Sequence, residues 1–508
     1  SEEMQQFLLI SSIPEYLSIS MCQDIFGTTG KLIDVIVQSG LFLNEVGAGQ
    51  YRYHHMFRDF LYREAEKRLT NFCELHNKIA GFYLKKGEKE KALHYFLKGQ
   101  DWLEAERIFI SLARELVASG RGSVFNNYLS LFPEEHRNHP VLLLAKGDEA
   151  RFLSDYHQAL YYYQLAADIY RTEGNDQGLS MAYQGMGEVF LDKIEPAQAQ
   201  IFLRQAYKKL GANQGREKSA ILGMMAENMI NQGKPRQAER YQKLARSKFY
   251  FEDDHNLEAR IMVRTGRLNE VVRHLEKRTQ VDKKLRKVHF SYRESPLLLS
   301  FCYSLYGAGD KALAAAQEGI RLGEQINSPF VTAVGYIRQG HAFLLSEKMP
   351  KEQAWEAYEK ALEHVDHLNI VRVKSEVCAG QCLLYALKNA WADAQHCGLE
   401  GIRITEKVQD QWFLAILTHS LGMAAAICTK YEESRKYLHK AGKLFERCGD
   451  SFGKTLVNWW LGYVAYKLQN QEEFSFYFGK VIDLAQANNY EFLLERPSLF
   501  GDITGEYS

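Results

Sequence analysis

The sequence predicts an all-α chain: a right-handed superhelix of about nine helix pairs with a period near 40 residues, behind a small N-terminal domain of three helices and one β-hairpin. Three observations carry this. A block of small and bulky residues recurs between Gly147 and Val481. Only 9 prolines occur in 508 residues, and no Gly/Ser-rich stretch divides the apolar periodicity that runs from Phe7 to Leu499, so the chain reads as stacked small units and not as a string of globular domains. Near the N-terminus, apolar residues alternate along two short arms on either side of a glycine-bearing turn.

Taken in order, the first helix is read over Met4 to Ser11, before Ile13-Pro14-Glu15-Tyr16-Leu17. A second surrounds Cys22 to Phe26 and a third spans Lys31 to Ser39. The segment LFLNEV-GAGQ-YRYHH then supplies the hairpin, and three helices followed by a hairpin form a winged-helix pattern over residues 1–66. Residues 67–135 read as short helical pairs, and residues 136–508 as the array.

The array block places a small residue in a first helix and another about twelve positions on in a second. An aromatic or leucine follows at +4 and a small residue at +7. It reads Gly147, Ala159, Tyr163, Ala166, and returns as Gly187, Ala199, Leu203, Ala206, then as Ala226, Ala238, Ala245. Near the end it reads Gly422, Ser434, Leu438, Ala441 and Gly462, Phe474, Phe478, Val481; Val271, Ala312, Ala354 and Ala394 mark the copies between. Two helices approach closely only where side chains are small, and the bulky +4 residue fills the gap to the next unit. Tripeptides such as Asn231-Gln232-Gly233 and Thr429-Lys430-Tyr431 mark the turns. The copy at Val271 is short and runs into RTQVDKKLRKVHFSYRE, which is either a solvated helix face beside an irregular turn or a docking patch or hinge. If each pair touches only its neighbours, Ala199→Phe is expected to loosen the array locally.

This spacing resembles the tetratricopeptide repeat, lengthened from the usual period of about 34 residues. QQFLLISSIPEYLSISMCQDIFG, QSGLFLNEVGAGQYRYHHMFRDFLYREAEKR and ELHNKIAGFYLKKGEKEKALHYFLKGQDWLEAERIF resemble the segment behind the nucleotide-binding domain of MalT-like transcriptional regulators, signal-transduction ATPases of the STAND class. The resemblance implies a sensor region that binds an inducer or regulatory protein on its concave face. It implies ATP/ADP only for the intact regulator, a nucleotide-binding domain that meets residues 1–66, and DNA contact through another module; a cytoplasmic setting is expected because no apolar run reaches the roughly 18 residues that span a bilayer and Ser1-Glu2-Glu3 opens no signal peptide. Gly27-Thr28-Thr29-Gly30-Lys31-Leu32 lacks P-loop spacing, and the end, Phe500 to Ser508, carries no LuxR-type helix-turn-helix, so the chain reads as a piece of a larger regulator. Within Tyr53-His54-His55-Met56-Phe57-Arg58-Asp59 the resemblance makes His54 the contact to an ADP phosphate, with His55 where relatives often carry Asp; a role for both as caps of the hairpin edge is the alternative.

Composition excludes other classes. Lys+Arg and Asp+Glu both number 63, so no general electrostatic footprint for nucleic acid or an anionic membrane exists. Eight cysteines without a CxxC pair point to reduced thiols. Cys378, Cys382, His396 and Cys397 suggest zinc, but Cys382 sits at a small-residue packing position; no catalytic constellation appears, and no enzyme or metal site is expected. On the first helices, the residues expected to face a ligand or partner groove are Gln184, Glu188, Glu227, Asn231, Arg260, Arg264, His341, His419, Trp459 and Tyr463. Of Trp459-Trp460, one ring is expected in the core and one in the groove. A free-standing scaffold that binds peptide segments is the alternative reading.

Overall fold

The structure is a computed structural model that describes residues 2–27, 31–40, 42–47, 49–248, 256–285, 295–346, 349–365 and 370–495. Three segments read from sequence therefore fall wholly or partly outside the described residues: the middle of Gly27–Lys31, the distal half of the basic stretch after Arg278, and Phe500–Ser508. The chain forms two compact units, residues 1–145 and 146–508.

In the first unit, α1 (Glu2–Ser11), α2 (Ile19–Phe26) and α3 (Lys31–Gln38) pack with a three-stranded antiparallel sheet, order β1-β3-β2. The strands are β1 (Leu17–Ser18), β2 (Leu43–Gly47) and β3 (Gln50–Tyr53). The hairpin registers Leu43 against Tyr53, and a bulge between Glu45 and Gly47 absorbs the glycine-bearing turn, where Gly47 and Gly49 both take positive φ. The sequence reading has no counterpart for β1, whose two residues are too few to show alternation. Phe7, Leu17, Cys22, Ile33, Ile36, Leu43, Tyr53 and Leu61 form one core, and a 2.9 Å hydrogen bond between the Ser11 and Tyr53 hydroxyls ties α1 to β3 inside it. Ser18 caps α2 by accepting from the Met21 amide at 3.2 Å. Five further helices follow: α4 (His55–Arg68), α5 (Phe72–Lys85), α6 (Lys89–Lys98), α7 (Trp102–Ala118) and α8 (Gly122–Leu131).

Nine helix pairs follow, counted among the described residues. They are α9 (Pro140–Phe152) with α10 (Tyr156–Thr172), α11 (Asp176–Asp192) with α12 (Pro196–Lys209), and α13 (Gly215–Asn231) with α14 (Pro235–Lys248). The middle three are α15 (Leu257–Arg264) with α16 (Leu268–Leu285), α17 (Ser295–Leu305) with α18 (Gly309–Gln325), and α19 (Pro329–Leu345) with α20 (Glu352–Val365). The last three are α21 (Val371–Leu387) with α22 (Trp391–Val408), α23 (Gln411–Ile427) with α24 (Tyr431–Cys448), and α25 (Ser451–Lys467) with α26 (Gln471–Asn488), before the short α27 (Phe492–Glu495). The boundary between the two units falls inside α9.

Each sequence anchor lies on the second helix of its own pair. Ala159, Ala199, Ala238, Val271, Ala312, Ala354, Ala394 and Ser434 are fully buried, and only Phe474, in the last pair, is half-exposed. The bulky +4 residue fits between glycines of consecutive pairs. A Cβ added to Gly147 or to Gly185 would come within 2.6 Å of the Tyr163 ring, and Tyr358 lies in the same way between Gly340 and Gly380. Among the described residues, the turns inside eight of the nine pairs carry a left-handed residue, among them Ser154, Ile194, Gly233, Gly266, Asn389 and Thr429, which reverses the chain within three residues.

The array does not confine its contacts to neighbours, and this overturns the expectation from a simple stack. The turn of the first pair meets the start of α19: the Ser154 and Ser328 hydroxyls are 3.1 Å apart, and the Tyr156 and Phe330 rings pack edge to face. Gly233, in the turn of the third pair, abuts Gln411 and Cys448, each 2.9 Å from where its Cβ would stand. In the fourth pair the Gly266 carbonyl accepts from the Tyr490 hydroxyl at 2.6 Å, and the Thr265 carbonyl from Ser451 Oγ at 3.2 Å. In the fifth, the Tyr306 ring lies 4.4 Å from that of Phe492. The turns of the first, third and fourth pairs meet the junction between the fourth and fifth pairs beyond them, and the turn of the fifth meets the segment behind the ninth pair. The corresponding junction for the second pair, residues 366–369, lies outside the described residues. Successive coils of the superhelix are thus sealed against one another at the turns of the first, third, fourth and fifth pairs.

Candidate functional site

First helices of successive pairs touch one another directly, α11 with α13, α13 with α15, α17 with α19, α19 with α21, α21 with α23 and α23 with α25, so they form the inner wall of the coil. Ion pairs link them along this wall. Arg151 reaches Glu188 and Asp192, each at 2.9 Å; Arg260 reaches Glu227 at 2.8 Å; Arg338 reaches Glu376 at 2.8 Å. All are largely buried, so each guanidinium keeps its neighbour's carboxylate from being stranded away from water.

Where the first helices of the fourth to ninth pairs curl round, they leave a partly enclosed cavity of about 150 Å³. Phe301 of α17, His341 of α19, Trp412, Phe413 and His419 of α23, Phe445 of α24 and Phe452 of α25 bring their rings to it, with Leu344, Leu383, Ile416, Met423 and Leu456 between them. Of the described residues that line it, Asp450 alone carries a formal charge.

Local structure places each polar group. Asp450 is the N-cap of α25, accepting from the Gly453 amide at 2.9 Å with one oxygen and from Trp412 Nε1 at 2.8 Å with the other. Burial pushes its carboxyl up to about 6, against the pull of those donors. Arg264 stands behind Trp412, its guanidinium 4.8 Å from the ring centroid, and donates to the Ile230 carbonyl at 2.8 Å while meeting Asp410, the N-cap of α23, at 3.4 Å. His419 is 6 % exposed, and burial pushes its imidazole down to about 4, opposed by a hydrogen bond to the Leu456 backbone. Its Nε2 has no hydrogen-bond partner among the described residues. His341 Nδ1 is 2.7 Å from the Tyr358 hydroxyl, and Tyr358 is held in place by the missing side chains of Gly340 and Gly380.

Of the ten residues expected to face a groove, the structure brings His341 and His419 together at the cavity and sets Arg264 one layer behind it. Glu227, Asn231 and Arg260 form a separate buried cluster, with Arg260 donating to Asn231 at 3.0 Å. Gln184 and Glu188 bond each other at 3.0 Å beside Arg151. Trp459 packs on Phe478, and half-buried Tyr463 packs on Trp460. Both Trp459 and Trp460 are buried and neither lines the cavity; Phe478 of α26 packs on Trp459. Sequence reading missed Trp412 and Asp450. Asp410-Gln411-Trp412-Phe413 and Asp450-Ser451-Phe452-Gly453 are parallel cap-and-aromatic signals that flag two helix starts, but spacing does not say that the two starts meet.

In the first unit, His54 precedes α4, its amide donating to the Phe42 carbonyl at 2.7 Å, and its side chain makes no cap bond. The rings of His54 and His55 are 4.4 Å apart and both are exposed, beside exposed Phe42, Met56 and Phe60.

Residues 1–71 match the model of the MalT winged helix domain. This segment is a MalT winged helix domain. A further match is the serine/threonine-protein kinase PknK of Mycobacterium tuberculosis, 28% identical over 104 residues, which is 20% of this chain and 9% of that protein; the PknK of Mycobacterium bovis matches to the same extent. Among solved structures, a STAND protein with a tetratricopeptide repeat sensor from Pyrococcus horikoshii is similar at 12% identity and a TM-score of 0.28, over 98% of this chain and 65% of that one. A Rap protein complexed with competence and sporulation factor is similar at 11% identity and a TM-score of 0.36, over 76% and 99%. The MalT winged helix domain thus occupies the start of the first unit, and the cavity lies wholly in the second. Among the described residues no helix is long and apolar enough to cross a membrane.

Proposed function

We propose that this chain is the effector-binding region of a MalT-like signal-transduction ATPase, a transcriptional activator of the LuxR type, and that the second unit takes up a small-molecule inducer in its inner cavity. The observation that carries the reading is the joint presence, in one chain, of a MalT winged helix domain and a coil of helix pairs that encloses an aromatic-walled cavity. Pockets for small ligands are concave and largely apolar, with a few polar groups that fix orientation. On this reading the winged helix meets a nucleotide-binding module, and His54 bonds a phosphate of bound ADP. The exposed histidine pair and the exposed apolar side chains of Phe42, Met56 and Phe60 around it support that role, because a wetted donor amid uncovered apolar surface is what a docking face presents.

A thermal-shift screen of sugars, nucleotides, amino acids and small aromatics on this chain tests the sensor role. A compound that binds the native state alone raises the midpoint by mass action. Failure of every class, with a folded regulatory protein shifting the midpoint instead, would replace the inducer by a protein partner. For the nucleotide role, His54→Ala in a regulator that carries the ATPase module is expected to raise activity without inducer and to weaken ADP binding; unchanged values of both would remove His54 from it.

A further inference from the structure

We infer that the ligand of the cavity is a small neutral aromatic molecule carrying one hydrogen-bond donor, of the phenol or benzyl alcohol class. This rests on the sensor reading above and names the ligand chemistry that the wall selects. Size sets the first bound. A cavity of about 150 Å³ has the volume that holds a single benzene-sized ring in an apolar protein interior, and an oligosaccharide or a nucleotide would have to leave most of its atoms outside it.

The wall sets the second bound. Ring faces and edges from Phe301, Trp412, Phe413, Phe445 and Phe452 surround the space, which favours a flat apolar body in edge or offset contact. An anion entering it would meet the Asp450 carboxylate and, among the described residues of the lining, no cationic side chain. A cation would have to give up its water for a carboxylate whose two oxygens already accept from Trp412 and Gly453. A polyol would leave most of its hydroxyls facing carbon. A neutral ring avoids each of these costs.

His419 sets the third. It lines the cavity, is more than nine-tenths buried, and has one ring nitrogen bonded to the Leu456 backbone while Nε2 is without a partner among the described residues. With the Leu456 carbonyl taking the ring's N–H, the other nitrogen is left as an acceptor, and a buried acceptor without a donor is unfavourable. One hydroxyl on the ligand supplies that donor. The net worth of such a bond is about 1 kcal/mol, or roughly fivefold in affinity.

Titration calorimetry of the full chain with benzyl alcohol, phenol, toluene, benzoate, benzylamine and glucose tests this. Benzyl alcohol and phenol are expected to bind at least tenfold more tightly than benzoate, benzylamine or glucose. His419→Leu is expected to cut the affinity for the two hydroxyl compounds three- to tenfold and leave toluene unchanged, whereas His419→Gln, which keeps an acceptor, retains most of it. Ser420→Leu and Ile416→Phe, two independent ways of filling the space, are expected to abolish binding of every aromatic probe. Benzoate or benzylamine binding as tightly as benzyl alcohol would overturn the inference, as would an equal loss of toluene and phenol in His419→Leu. Glucose that binds and is blocked by Ser420→Leu would overturn the ligand class while leaving the sensor reading intact. If no compound of any class binds, both fall.

Discussion

The pair His419 and Asp450 gives stability a pH dependence of calculable sign. His419 titrates near 6.5 when unfolded and at about 4 when folded, so its contribution is complete above pH 6.5 and is lost as the pH falls through the folded value. The whole difference amounts to about 3.4 kcal/mol at 1.36 kcal/mol per pH unit, and about 2 kcal/mol of it is gone by pH 5. Asp450 runs the other way. Its carboxyl titrates near 3.8 unfolded and at about 6 folded, so its contribution is complete below 3.8 and is lost as the pH rises through 6. Between pH 8 and pH 5 it returns about 1.4 kcal/mol, and the wild-type chain therefore shows little net change from the two. Single substitutions expose the hidden terms. Relative to wild type, His419→Gln is expected to gain about 2 kcal/mol on going from pH 8 to pH 5, and Asp450→Asn to lose about 1.4 kcal/mol. Urea unfolding followed by tryptophan fluorescence at pH 5, 6 and 8 measures both, because five of the six tryptophans lie in the second unit. A difference between wild type and His419→Gln that stays flat across this range would refute the buried, neutral histidine.

Gly266→Ala places a Cβ 2.5 Å from the Phe452 amide at a φ of +82°, so it is expected to cost at least about 2 kcal/mol and to raise hydrogen exchange at the start of α25 and around Tyr490, far along the sequence from the change. Arg260→Met removes the guanidinium from beside the buried Glu227 carboxylate and is expected to cost about 3–5 kcal/mol in urea unfolding, while the double change with Glu227→Leu restores most of it. Thr429 is exposed, β-branched and left-handed at φ +59°, and Thr429→Gly is expected to raise stability by about 0.5–1 kcal/mol in the same assay.

How much of this was legible in the sequence follows from the range of each interaction. The pair rhythm was fully legible, because small residues facing each other within one pair are about a dozen positions apart and repeat nine times. Tyr163 was legible as a gap filler for the same reason, and the structure puts Tyr358 in the same place four residues after Ala354. The hairpin read correctly from alternation, while β1 did not, since two residues carry no period. The sealing of coil on coil was not legible. It joins Gly266 to Tyr490 and Gly233 to Cys448, more than 200 residues apart, through backbone carbonyls and single hydroxyls that leave no pattern. The same holds for the cavity: His341 and His419 could be listed as inward-facing, but their meeting with Trp412 and Asp450 depends on the curvature of six successive pairs.

Hydrogen–deuterium exchange of the full chain, with and without a compound that raises its unfolding midpoint, tests the central claim most directly. The account expects new protection in α19, α21, α23 and the first turns of α25, which wall the cavity, and at Thr265–Arg267, where the coils are sealed. Protection confined to α9–α13, or to the outer second helices, would contradict it.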